Sequence, residues 1–175
     1  FGCSAKNNHG HGIDLKSSAI AIACKSFNNG REGGNGSKWG NWGDGFNVIN
    51  ADHSQLIFCT ATGNYRNGLS VTTYDSVNGS LPDYQNPELA RGIKVVGCHF
   101  YDNTYIGCDL EGVTACQVVN CEGQLYMSNS SDMMIANHMG EVYGDNCNNA
   151  IVNGVRVSRP STSTAFFLRG KNPMV

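Results

Sequence analysis

Apolar and polar residues alternate along the chain in runs of only five or six residues, separated by corners rich in Asn and Gly. AIAIA at 19–23, SQLIF at 54–58, GIKVVG at 92–97, CQVVN at 116–120, MMIAN at 133–137 and AIVNG at 150–154 all read this way. Such alternation marks a half-buried strand, whose side chains point in and out by turns. No window carries a 3.6-residue apolar period beyond a turn or two, and the strong helix formers are sparse. The pattern predicts an all-β chain.

The strands recur with the cysteines. Cys3, Cys24, Cys59, Cys98 and Cys121 each open a small-residue segment, an Asn-rich corner and a second strand, as in CSAKNNHGHGIDL and CHFYDNTYIGCDL. Their spacings are 21, 35, 39 and 23 residues. The two long spacings contain insertions at 30–43 and 73–90, and removing these restores a period near 22; later repeats shorten to about 17. Short strands at this period, none able to bury its apolar face alone, predict a parallel β-helix with coils of about 17–23 residues. The coil should be right-handed, as about 98% of parallel crossovers are. Residues 1–175 form one such domain. It begins inside a repeat at Phe1 without a helix over the first coil, which predicts a piece of a longer protein with further domains at both ends.

The recurring unit, (strand)-Cys-x-small-x-Asn-Asn-(strand), is clearest in GIKVVGCHFYDNTYIGCDL. Over nearly the whole chain it resembles the right-handed parallel β-helix, pectate-lyase-like superfamily of pectate lyases, mannuronan epimerases and bacteriophage tailspikes. The resemblance implies the fold and a polysaccharide partner. Through the tailspikes it also implies a homotrimer of parallel coils and an extracellular or virion-surface location. Longer catalytic signatures, such as the D-P-H-E of the epimerases, are missing, so no catalytic residue carries over.

Composition agrees with many tight corners: 22 Gly and about twenty Asn, both tolerant of a left-handed backbone. A net charge of -2 and a pI near 6.2 leave no electrostatic footprint for nucleic acid. No apolar run approaches the roughly 20 residues of a spanning helix, so membrane insertion is not expected. Eight cysteines in a short chain raise the question of disulfides. Five share one repeat position, however, and should stack about 4.8 Å apart with like direction, whereas a bridge needs opposed Cβ vectors. They are expected reduced and buried, which suits folding in a reducing cytosol. Cys108 should face the core, with Cys116 and Cys147 off the ladder. No Cys-x-x-Cys pair suggests zinc, and neither metal nor cofactor is expected. His9 and His11 read as a solvated corner, and His53, His99 and His138 as surface or corner residues.

Insertions in a solenoid map to loops on one face, often the binding face. The first insertion precedes GFNV at 45–48 and the second follows LSVT at 69–72, so both should wall a groove across one strand face. Trp39 and Trp42 in the first loop offer flat platforms for sugar rings, or else pin that loop to the coil. Alternation turns Ile13, Leu15, Phe46, Val48, Leu69, Val71, Cys108 and Leu110 inward. It turns Asp14, Asn47, Ser70, Asp109 and Tyr126 outward, with Thr72 and Glu111 one step along. Asp109 and Glu111 lie about 6.5–7 Å apart at Cα on one strand side. Their carboxyls can approach the roughly 5–9.5 Å separations at which glycosidases divide acid from base or nucleophile. Asp44, at the foot of the Trp loop, is the third candidate; Glu32, Asp75 and Asp83 in the loops could reach the same space. Carboxylates on an exposed sheet are otherwise mere solvation. Arg66, Arg31 and Lys38 could neutralise a uronate for a lyase or epimerase, but the carboxylate cluster of a lyase calcium site is not evident. The expected function is binding and hydrolysis of a polysaccharide. Asp109, Glu111 and Asp44 are the catalytic candidates, and Trp39, Trp42, Arg66, Asn47, Tyr126 and Asp14 the substrate-binding ones. The alternatives are a non-enzymatic stalk or adhesin, or a polysaccharide lyase or epimerase.

Overall fold

The computed structural model describes residues 1–30, 43–73, 90–157 and 166–174. Trp39 and Trp42, with Arg31, Glu32, Lys38, Asp75 and Asp83, lie outside the described residues. The chain winds as a parallel β-helix with three short strands per coil. The first coil carries β1 (Ser4–Lys6), β2 (Ile13–Leu15) and β3 (Ile20–Ile22), and the second β4 (Lys25–Phe27), β5 (Phe46–Ile49) and β6 (Gln55–Ile57). The third carries β7 (Thr60–Thr62), β8 (Leu69–Thr72) and β9 (Lys94–Val96), and the fourth β10 (His99–Tyr101), β11 (Cys108–Glu111) and β12 (Gln117–Val119). Then come β13 (Glu122–Gly123), β14 (Leu125–Ser128), β15 (Met134–Ala136), β16 (Val142–Asp145), β17 (Ile151–Asn153) and β18 (Phe166–Leu168). Sheet A stacks β1, β4, β7, β10 and β13; sheet B stacks β2, β5, β8, β11, β14, β16 and β18; sheet C stacks β3, β6, β9, β12, β15 and β17. Every named pairing is parallel, such as Cys108 with Leu125 and Leu125 with Val142.

Single left-handed residues make the corners. Between sheets C and A these are Ala23, Phe58, Asn120 and Asn137, with φ of 52, 53, 53 and 50°, and Gly97 in the intervening coil. A left-handed L-residue with a Cβ costs roughly 1–2 kcal/mol, less for Asn, and Gly escapes the penalty. The Asn and Gly content follows from this geometry. The next residue points inward: Cys24, Cys59, Cys98 and Cys121 form one buried column of free thiols, while Cys3 at that position in the first coil is exposed.

Two readings of single residues change, those of His138 and His11. His138 is not a surface residue; it takes the cysteine position in the next coil, 1% exposed, with Nε2 2.8 Å from the Gly123 carbonyl oxygen. Burial pushes its pKa below the usual histidine value. Cys116 and Cys147 stand off the main column yet are buried, each directly after a left-handed corner residue, Ala115 or Asn146. His11 belongs to the site below.

The corner from sheet A to sheet B is closely packed. An amide ladder crosses it: Asn29 Nδ2 donates to Asn64 Oδ1 at 3.0 Å and Asn64 Nδ2 to Asn103 Oδ1 at 2.9 Å, while the Asn29 and Asn64 backbone N–H groups donate to the same oxygens. Beside it runs a glycine column of Gly12, Gly45, Gly68 and Gly107. A Cβ on Gly68 would lie 2.6 Å from the Gly107 carbonyl oxygen and 2.7 Å from Asn103 Nδ2, so no larger residue fits. The ladder and the glycines together fix where sheet B begins in the first four coils.

Candidate functional site

Sheet B presents one outward row whose register is Asp14, Asn47, Ser70, Asp109, Tyr126, Tyr143 and Phe167. Thr72, Glu111, Ser128 and Asp145 pair along the row two residues further on. Asn47 Nδ2 donates to Asp14 Oδ1 at 2.9 Å, and Ser128 Oγ to Glu111 Oε1 at 3.3 Å. Toward the far end the row turns aromatic. Tyr126 stacks on Tyr143 with centroids 5.3 Å apart, and Tyr143 on Phe167 at 4.8 Å.

A second column, one residue before the glycines, abuts the first. It holds His11, Asp44, Asn67 and Ile106, joined by backbone bonds from Gly12 to Asp44, Gly45 to Asn67 and Gly68 to Ile106. The Asp44 carboxylate is 1% exposed. Its Oδ1 accepts the Asn67 backbone N–H at 3.1 Å, and its Oδ2 lies 3.2 Å from His11 Nδ1 and 3.7 Å from Arg66 Nη1. His11 is thus packed against a carboxylate, not solvated. A Cβ on Gly12, next to His11, would lie 2.7 Å from the Gly45 carbonyl oxygen, so the two coils lie in close contact there.

Asp109 meets this column through Asn67, whose Nδ2 donates to Asp109 Oδ2 at 3.1 Å. Burial, first of all, and then the charges of Glu111 and Asp44 push the Asp109 carboxyl up to about 7; Arg66 and the Asn67 hydrogen bond partly oppose them. A carboxyl of that kind is available as an acid near neutrality, while a neighbour in a more polar setting acts as a base.

Of the residues singled out in the sequence, Asp109, Glu111, Asp44 and Arg66 therefore share one electrostatic neighbourhood. Tyr126 adjoins Asp109 on the following coil, and Asn47 and Asp14 pair with each other on the preceding ones. Trp39 and Trp42 lie outside the described residues. The chain leaves the described residues at Gly30 and returns at Gly43, next to Asp44; it leaves again at Thr73, just past β8. The sequence reading missed His11, Asn67, Tyr143 and Phe167. Aligning HGIDL, DGFNV, NGLSV and IGCDL on their glycines puts the first two in the Asp44 column.

No family model and no characterised protein sequence matches the chain. Solved structures do match it. The tailspike gp61 of Pseudomonas phage phi297 aligns over 86% of this chain with a TM-score of 0.63 and 12% identity. The chain shares its fold with phage tailspikes and alginate epimerases. The periplasmic alginate epimerase AlgG aligns over 98% of it with a TM-score of 0.62 and 13% identity. The A-module of the Azotobacter vinelandii mannuronan C-5 epimerase AlgE6 aligns over 96% with a TM-score of 0.58 and 18% identity. The chain spans 26% of that tailspike, 44% of AlgG and 47% of the AlgE6 module.

Proposed function

We propose that this β-helix binds a polysaccharide along the outer face of sheet B and hydrolyses a glycosidic bond there. The observation that carries the reading is Asp109: a buried carboxyl raised to about 7 beside two further carboxyl groups, Glu111 and Asp44. Paired carboxylates whose environments push them apart are how glycosidases separate acid from base or nucleophile. In this scheme Asp109 protonates the leaving oxygen, and Glu111, half-buried on the same strand, serves water or the anomeric carbon. Asp44, enclosed by His11, Arg66 and the Asn67 backbone, contributes its charge. Asn47, Asp14, Arg66 and Tyr126 line the path of the glycan, with Trp39 and Trp42 as platforms in the inserted loop.

The test is release of reducing ends from a panel of surface polysaccharides, with the absorbance of unsaturated products followed in parallel. Asp109→Asn and Glu111→Gln should each lower turnover about a hundredfold or more, the effect of a lost general acid or base, with affinity largely retained. Asp44→Asn should lower it less. Near-normal rates in all three on a confirmed substrate would move the chemistry elsewhere.

Elimination or epimerisation at a uronate is the second reading, favoured by Arg66, a cation beside the carboxyl cluster that could neutralise a sugar acid. Unsaturated products without a requirement for Asp109 would establish elimination. A stalk or adhesin without activity would bind and release nothing. The setting proposed is a virion or cell surface, as part of a longer homotrimeric protein. Ile22, Ile57, Val96, Val119 and Ala136, paired in one partly exposed row of sheet C, support the association of copies, and the buried free thiols suit folding in a reducing compartment before release.

A further inference from the structure

The hydrogen bonds of Asn67 carry the hydrolytic reading one step deeper, and the role inferred for this residue rests on that reading. Its Oδ1 accepts the Ile106 backbone N–H at 3.3 Å, its Nδ2 donates to Asp109 Oδ2 at 3.1 Å, and its own backbone N–H donates to Asp44 Oδ1 at 3.1 Å. Which end of an amide is oxygen is decided by its partners. A backbone N–H can only donate, so the end facing Ile106 is the oxygen and the end facing Asp109 is the NH2. Asp109 Oδ2 must therefore accept. The carbonyl oxygen of a protonated carboxyl is the stronger acceptor, so the oxygen held by the amide favours that role and the proton favours the other. That other oxygen, Oδ1, is itself buried and makes no hydrogen bond among the described residues, in a residue only 9% exposed.

We propose that Asn67 is a positioning residue: it clamps Asp109 through Oδ2, links it to Asp44, and so keeps the acidic proton on Oδ1, the oxygen left for a substrate. In the reaction this proton passes from Oδ1 to the glycosidic oxygen as the bond from that oxygen to the anomeric carbon breaks, the bonding pair staying with the oxygen. Water supplies hydroxide to the anomeric carbon and gives its remaining proton to the partner carboxylate. The new Asp109 carboxylate is already held by the Asn67 amide. The charged or titratable groups facing Asp109 are Glu111 and Cys108 on its own strand, Asp44 and Arg66 from the two preceding coils, and Tyr126 from the following one.

Asn67→Ala tests this on the intact chain without any ligand. The 13C signal of the Asp109 side-chain carboxyl, assigned with Asp109→Asn, is followed against pH. A hydrogen bond to the charged form lowers a carboxyl pKa, so its loss should raise the Asp109 midpoint by about one pH unit. With a confirmed substrate, the alkaline limb of kcat/KM should move up equally while kcat falls about tenfold or more. Asn67→Asp, isosteric with the native side chain, covers the case in which the alanine variant does not fold. There a second carboxyl must lift the last proton of the pair above the wild-type midpoint. A wild-type midpoint in the folded variants overturns the assignment. A shifted midpoint in a protein that cleaves no polysaccharide upholds the positioning and overturns the hydrolytic reading alone.

Discussion

Asp109 titrates near 7 in the folded protein, against 3.8 for an ordinary aspartate. Between those two pH values the folded state holds a proton that the unfolded chain has released. Stability therefore falls as pH rises through this window, and above about 7 the whole contribution has been lost. Asp109→Asn keeps the shape and removes the charge. It should stabilise the fold at pH 8 by on the order of 1–3 kcal/mol, read as a higher melting temperature, and converge with wild type near pH 4. Thermal unfolding at the two pH values decides it; an unstabilised variant at pH 8 would mean that the buried carboxylate carries no penalty. The same substitution is expected to lower turnover about a hundredfold or more, so a stability gain with an activity loss would mark Asp109 as a residue kept for chemistry.

At the scale of strands and corners, the amide ladder is a cooperative element whose rungs cannot be removed singly. Asn64 is fully buried and accepts from both the backbone and the side chain of Asn29. Asn64→Ala strands the buried Asn29 backbone N–H and removes the Asn64 amide donor, while Asn29 Nδ2 keeps Ser26 Oγ at 2.8 Å; this should cost about 1–3 kcal/mol, read as a lower urea midpoint with an unchanged slope. A loss below about 0.5 kcal/mol would show that water replaces the ladder. The strands were legible in the sequence because alternation is a property of strands: the row Asp14, Asn47, Ser70, Asp109 and Tyr126 follows directly from Leu15, Val48, Val71 and Leu110 facing inward. The corners were not. Alternation lapses there, so the depth of His11 and Asn67 depends on how one coil lies on the next. His138 escaped because its position is recognisable only by the cysteines that precede it in the column.

Over the whole molecule, sheet C differs from the other faces. Ile22, Ile57, Val96, Val119 and Ala136 pair in one outward row, each partly exposed, and Phe58 at the adjoining corner is 65% exposed. An apolar row across five coils is what a partner surface needs. Ile57→Lys with Val119→Lys should leave the coil folded and give the monomer mass in sedimentation, whereas the unaltered chain is expected to sediment as an oligomer. An equal mass for both would remove sheet C from the assembly. The stacking also has a mechanical side. All the ladder bonds run parallel to the coil axis, so tension between the two ends loads the coils in series, and every rung bears the full force. Opening then proceeds as a zip, starting at the weakest rung, and adding coils lengthens such a rod without strengthening it. Only copies lying side by side would divide the load.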